Sequence, residues 1–171
     1  HDVLLRAFAI VAPAFPTWRL AIAGDGPQRE SLWALGASLG ITAQVDWLGV
    51  TTKIEACYAR ASIVAMASRY EGFPNVLLEA MGMGCAVIST DCRSGPAEII
   101  APHENGLLVP VDDVPALSDA LRCLMSDAAL RQRLGAAATN VRRTFDADRV
   151  HGQWRALLEA AASPKPAATP T

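Results

Sequence analysis

Histidine is scarce in this chain, with three among 171 residues. His1, His103 and His151 lie far apart and form no metal-ligand cluster, so no metal and no cofactor is expected. Cysteine is nearly as sparse. Cys57, Cys85, Cys92 and Cys123 form no C-x-x-C pair and sit in apolar or helical contexts, which reads as free, buried thiols in a reducing cytoplasm. Charge is low and balanced: 15 basic against 17 acidic residues, a formal net charge of −2, leave no basic footprint for nucleic acid. No apolar run approaches the roughly 20 residues of a membrane span. The longest uncharged stretches, such as residues 7–18, contain prolines and read as core elements.

What the chain does have is apolar residues, 51% of the total, in a length that suits one α/β domain with a sizeable core. Short apolar runs alternate with helical patterns. Residues 18–23 read as a buried strand ended by Gly24-Asp25-Gly26-Pro27, and a helix over 27–39 follows, with proline suited to its first position and Gly40 as its stop. Residues 43–48 alternate as a second strand, 53–61 form a short helix and 62–67 a third strand. A helix over 75–83, strands over 85–89 and 106–109, and helices over 113–125, 131–145 and 149–161 complete the pattern. Strands alternating with helices imply right-handed crossovers, hence a doubly wound parallel sheet. The alanine- and proline-rich stretch 162–171 is expected to be a disordered tail beyond a domain of residues 1–161.

The amino terminus departs from that pattern. Residues 1–10 already read as a helix, with Val3, Leu4, Ala7, Phe8 and Val11 on one face, and no strand precedes it. A doubly wound domain usually begins with a strand, so the expectation is a domain lacking its first strand and cut from a longer protein.

The richest local signal is Glu71-Gly72-Phe73-Pro74-Asn75-Val76-Leu77-Leu78-Glu79. The strand-like run 62–68 leads in and the helix from Asn75 leads out, so Glu71 falls in the loop at a strand's carboxyl end and Glu79 about one turn into the helix. In open α/β sheets that edge is where ligands bind. A helix amino terminus offers unpaired N–H groups to an anion, and two flanking carboxylates can accept hydrogen bonds from hydroxyls. The combination suits a ligand that is both phosphate and polyol.

Several segments in order resemble the carboxyl-terminal domain of a retaining GT-B glycosyltransferase of family four. They are Gly24-Asp25-Gly26-Pro27, Val45-Asp46-Trp47-Leu48-Gly49, Ser68-Arg69-Tyr70-Glu71 through Glu79-Ala80-Met81, Gly84-Cys85-Ala86-Val87-Ile88-Ser89-Thr90-Asp91, Ser94-Gly95-Pro96-Ala97-Glu98-Ile99-Ile100 and Asn105-Gly106-Leu107-Leu108-Val109. The resemblance covers residues 3–160. It implies the Rossmann-like, donor-binding half of a two-domain enzyme, with the acceptor held by an amino-terminal domain that is absent here. Carried over, Glu71 is the catalytic-site carboxylate that binds a donor sugar hydroxyl, and Glu79 binds the ribose hydroxyls. Backbone N–H groups along Gly72, Phe73, Pro74, Asn75, Val76 and Leu77 meet the sugar and diphosphate. The form Arg69-Tyr70-Glu71-Gly72-Phe73-Pro74-Asn75, with Ser94-Gly95-Pro96 later, is similar to members that use UDP-linked sugars, often N-acetylhexosamines. The resemblance also implies transfer without a metal, the helix dipole and basic side chains carrying the diphosphate's charge. The family's arginine and lysine that grip the diphosphate lie on the segment before His1, and Ala86 stands where proline is common.

Each candidate has a plainer role to weigh. Glu79 sits among Val76, Leu77, Leu78, Ala80 and Met81, so its helix is expected to be largely buried and its charge to need a partner or ligand. Gly24-Asp25-Gly26 lacks the third glycine of a dinucleotide fingerprint and reads first as a tight turn, bordering a nucleotide pocket to which Gly49, Val50 and Arg69 also belong. Arg69 is equally a solvated flank. Glu98 is read as a helix cap, His103 as polar surface, Asp112-Asp113 as a helix start, and Trp154 with Leu157 and Leu158 as packing on the closing helix.

The resulting expectation is a donor-binding domain whose intact enzyme transfers a sugar from a UDP-linked nucleotide to a hydroxyl acceptor, in polysaccharide or glycoconjugate synthesis. Its setting is the cytoplasm, peripheral at the inner face of a membrane only through absent regions. The chain alone is expected to be inactive. The alternatives are a non-catalytic nucleotide-sugar-binding fragment, and an epimerase of related architecture acting on UDP-N-acetylhexosamines.

Overall fold

The first helix, α1 (Asp2–Val11), forms where apolar residues recur at three- and four-residue spacing, and Val3, Leu4, Leu5, Ala7, Phe8 and Val11 are all buried. The computed structural model describes residues 1–162. The disordered tail expected at 162–171 lies outside them, apart from Ala162, which closes the last helix. After α1 come β1 (Leu20–Ala23), α2 (Arg29–Ser38), β2 (Val45–Gly49), α3 (Ile54–Arg60), β3 (Ile63–Met66), α4 (Asn75–Gly82), β4 (Ala86–Thr90), α5 (Pro96–Ile99) and β5 (Leu107–Val109). Four helices follow: α6 (Val114–Ser126), α7 (Ala128–Ala138), α8 (Val141–Thr144) and α9 (Ala147–Ala162).

All strand pairs are parallel, but they form two ladders. β1 pairs with β2, Leu20 opposite Val45. β4 pairs with β3, Ile63 opposite Ala86, and with β5, Ile88 opposite Leu107. Between β1 and β3 there is no ladder, and each pairs on one side only among the described residues.

One core nevertheless spans the break. Ile22 and Val45 of the first ladder and Ala86, Ile88, Leu107 and Val109 of the second pack in the same cluster with α1, α2 and α6. β4 alternates across the second ladder. Ala86 and Ile88 face that cluster, while Val87 faces another formed with Tyr58, Leu77, Met81, Ala138 and Val141. With helices on both faces, all five residues of β4 are buried: Ala86, Val87 and Ile88 run apolar without alternation, and Ser89 and Thr90 spend their hydroxyls on backbone carbonyls.

Several boundaries differ from expectation for local reasons. Pro27 is not the first helical residue, since α2 starts at Arg29, although Gly40 does stop that helix with φ +72°. The helix expected over 131–145 starts at Ala128, where the Asp127 side chain accepts a 2.8 Å bond from the Leu130 N–H, and it breaks after Ala138 before α8. Asp113 caps α6 as expected, accepting from the Ala116 N–H at 2.8 Å.

Two expectations fail. Glu98 lies in the first turn of α5, but no side chain caps that four-residue helix. The closing helix α9 has no buried residue, and Trp154, Leu157 and Leu158 are 62%, 64% and 65% exposed. Helical spacing marks an apolar stripe without naming what covers it, and among the described residues nothing does.

Candidate functional site

Glu71 is placed by the carboxyl ends of β3 and β4. Thr90, the last residue of β4, donates its hydroxyl to the Ser68 carbonyl at 2.5 Å, fixing the chain just beyond β3. The Ser68 hydroxyl then donates to Glu71 Oε1 at 2.6 Å. Cys92, buried in the loop after β4, stands near the same carboxylate. Burial first, and then the Glu71 charge, push its thiol above the usual range. Glu71 is thus a half-buried acceptor at the strand ends, where open α/β sheets take ligands.

The following loop is seated by a glycine. Pro74 is fully buried, and Gly95, with φ +97°, comes so close that a Cβ there would lie 2.4 Å from Pro74 Cδ. Ser94 also has positive φ, +87°, so two consecutive residues turn the chain onto the glutamate loop. Phe73 is 47% exposed, its ring centroid 6.0 Å from that of Phe145.

The amides between Gly72 and Leu77 are not equivalent. Pro74 has no N–H. The Asn75 N–H turns back to the Phe73 carbonyl at 3.0 Å, and the Leu77 N–H bonds the Pro74 carbonyl at 3.0 Å. Among the described residues the Gly72, Phe73 and Val76 N–H groups have no backbone acceptor, which leaves them open at this end of the helix.

Helix α4 buries one face, Leu77, Ala80 and Met81, and exposes Asn75, Val76 and Glu79. The helix is half-buried rather than largely buried, and Glu79 lies on its open side. Its partner is Tyr58 of α3, whose hydroxyl donates to Glu79 Oε2 at 3.0 Å. Tyr58 is 5% exposed. Burial first, then the hydrogen bond and charge of Glu79, raise its phenol well above the ordinary tyrosine range. The sequence reading missed this residue; the available signal was that it is one of only two tyrosines in the chain.

The candidate nucleotide-pocket residues divide. Gly24 and Gly49 line a cavity of ≈ 310 Å³ at the carboxyl ends of β1 and β2, together with Ile22, Asp25 and Trp47. The Gly24 N–H bonds the Gly49 carbonyl at 2.7 Å, stitching the two strand ends together. Val50, 79% exposed, is not part of that lining. Arg69 borders a second, ≈ 570 Å³ cleft with Asp2, Arg6 and Leu35, and is paired at 2.9 Å with Asp2 and at 2.7 Å with Asp112. Glu71 and Glu79 line neither of these two cavities.

Glu98 and His103 stay on the surface, and the His103 carbonyl accepts from Arg133 at 3.1 Å. Among the described residues, no three or more histidine, cysteine, aspartate or glutamate side chains come together as a metal site. No described helix is long and apolar enough to cross a membrane.

Residues 1–141 match the family described as glycosyl transferases group 1. The chain is similar to an exopolysaccharide phosphotransferase, SCO2592, of Streptomyces coelicolor, 42% identical over 158 residues that are 92% of this chain and 17% of that protein. It is 34% identical over 146 residues to the N-acetylgalactosamine-N,N'-diacetylbacillosaminyl-diphospho-undecaprenol 4-alpha-N-acetylgalactosaminyltransferase of Campylobacter jejuni, covering 85% of this chain and 39% of that protein. In fold it is similar to Anabaena Alr3699/HepE in complex with UDP, with a TM-score of 0.87 and 22% identity, over 94% of this chain and 45% of that one. The chain thus spans less than half the length of these proteins.

Proposed function

Because the chain belongs to the group 1 glycosyl transferases, we propose that it is the donor-binding half of a retaining enzyme that moves a sugar from a UDP-linked nucleotide to a hydroxyl acceptor without a metal. The observation that carries this is the glutamate loop: Glu71 held by Ser68 at the strand ends, Glu79 held by Tyr58 one turn into α4, and between them the open amides of Gly72, Phe73 and Val76. Glu71 takes a sugar hydroxyl, Glu79 the ribose hydroxyls, and the Phe73 and Val76 N–H groups an anionic oxygen of the diphosphate. The cavity at Gly24 and Gly49 is sized for part of a nucleoside. The UDP complex of a protein sharing the fold supports uridine over other bases. Arg69 is engaged by two carboxylates, so it is not held free for the diphosphate's remaining charge. That enzyme works in polysaccharide or glycoconjugate synthesis, with N-acetylhexosamines as the sugar class. The four free cysteines fit a cytoplasmic site.

Thermal-shift titration with UDP, GDP and a UDP-sugar, each with and without a chelator, tests the proposal. Stabilisation by UDP and its sugar conjugate, unaffected by chelator, is expected. No shift with any of the three would sink it. Glu79→Gln weakens binding more than Glu98→Gln, and equal effects would contradict the roles assigned.

The similarity to a protein named a phosphotransferase, over 17% of its length, favours a second reading. There the domain binds a nucleotide sugar inside a larger protein without carrying out the transfer. Donor binding is common to both, and sugar turnover by the longer protein separates them.

A further inference from the structure

We infer that Tyr58 is a positioning residue for the donor: its buried ring and hydroxyl hold the Glu79 carboxylate in the orientation that meets the ribose. This depends on the donor-binding role proposed for Glu79.

Glu79 alone is poorly prepared for that role. It is exposed, and a glutamate has three side-chain torsions to order when a ligand arrives. Tyr58 supplies the missing order. Its ring is buried in the cluster that includes Leu77, Ala80 and Met81, the inner face of the helix that bears Glu79. Its backbone is fixed as well, because its carbonyl accepts both the Cys85 thiol at 3.3 Å and the Ala61 N–H at 3.1 Å. The hydroxyl that reaches Glu79 Oε2 at 3.0 Å is therefore anchored to the core and to the end of α3. Groups whose own rotamers are locked by packing are the ones that preorganise a site.

The bond does not exhaust the carboxylate. An ionised carboxyl has about four lone-pair positions, and Tyr58 uses one of them. The others suffice for two adjacent ribose hydroxyls. Since burial and the Glu79 charge keep the phenol protonated, Tyr58 remains a donor throughout the physiological pH range.

A plainer role exists, because a buried tyrosine hydroxyl commonly finds a partner and Glu79 could merely satisfy it. The two roles differ in what Tyr58→Phe does to a ligand. That variant keeps the ring and removes one oxygen, so it should fold, and ligand-free unfolding confirms this. The experiment measures dissociation constants of the full chain, wild type, Tyr58→Phe, Glu79→Gln and the double variant, for UDP and for UDP lacking both ribose hydroxyls. Positioning predicts that Tyr58→Phe weakens UDP binding about 3- to 10-fold, leaves the dideoxy compound unchanged, and adds nothing in the Glu79→Gln background. If Glu79→Gln weakens UDP binding and Tyr58→Phe does not, positioning is overturned while the donor site stands. Equal loss on both ligands assigns Tyr58 a structural role and overturns it too. A wild-type chain that binds UDP and its dideoxy analogue alike, or binds neither, removes the ribose role of Glu79 and this inference with it.

Discussion

A Cβ on Gly95 would lie 2.4 Å from Cδ of Pro74, nearer than side-chain carbons approach in folded proteins. Pro74 is fully buried and cannot yield, and Gly95 also has φ +97°, where an L side chain is strained. Gly95→Ala is expected to lower stability by about 1–3 kcal/mol in urea unfolding. It should also weaken UDP binding by displacing the loop between Glu71 and Glu79. Gly152→Ala, where a Cβ meets nothing within 4 Å, is the comparison; equal effects would mean that the contact with Pro74 does not seat the loop.

Gly135 makes a second close approach, in the middle of α7. Alanine in a helix interior usually stabilises by about 0.5–1 kcal/mol relative to glycine. Here the sign reverses, because the Cβ would lie 2.2 Å from the Gly84 carbonyl oxygen, a backbone atom leading into β4. Gly135→Ala should destabilise by about 1–3 kcal/mol. Gly36→Ala in α2, whose nearest neighbour is 3.9 Å away, should be neutral or stabilising in the same assay.

Asp113 and Asp112 are adjacent and do different work. Asp113→Ala removes the cap of α6 and is expected to cost about 0.5–2 kcal/mol. Asp112→Asn leaves that cap in place, suits the φ of +60° there and removes a charged partner of Arg69, so its effect on thermal unfolding should be smaller and should fade with added salt.

Acid should act through two aspartates. Hydrogen bonds from Arg19 hold Asp46 below the usual carboxylate range, and those from Arg69 hold Asp2 below it. A depressed folded pKa means that the unfolded chain binds the proton more readily. The contribution is therefore complete above the unfolded value of about 3.9 and disappears as pH falls through the folded value. The melting temperature should stay level near neutrality and drop below about pH 4. Asp46→Asn should flatten part of that acid limb, and an unchanged profile would count against the Arg19 pair.

The architecture was readable because buried parallel strands such as β4 start as apolar runs without alternation, here Ala86 to Ile88, and because helices such as α1 repeat at their own period. The glutamate loop was legible as a strand end leading into a helix, and its segments matched a known order. What stayed hidden was set by packing between distant segments. Tyr58 meets Glu79 across 21 residues of sequence, and Gly95 meets Pro74 only once two loops have folded together. The stripe of Trp154, Leu157 and Leu158 was visible, but its exposure was not, since periodicity records a face and not its cover. Glu98 failed as a cap because a single turn between Pro96 and Ile99 is bonded through its backbone alone.

The interrupted sheet bears on mechanics. Among the described residues no ladder hydrogen bond ties β1–β2 to β3–β4–β5, and the core that both ladders share holds them side by side. One ladder ends in the glycines of the smaller cavity, the other in the half-buried glutamate. A ligand long enough to rest on both ends would act as a crosslink, stiffening the seam where peptide bonding does not cross it.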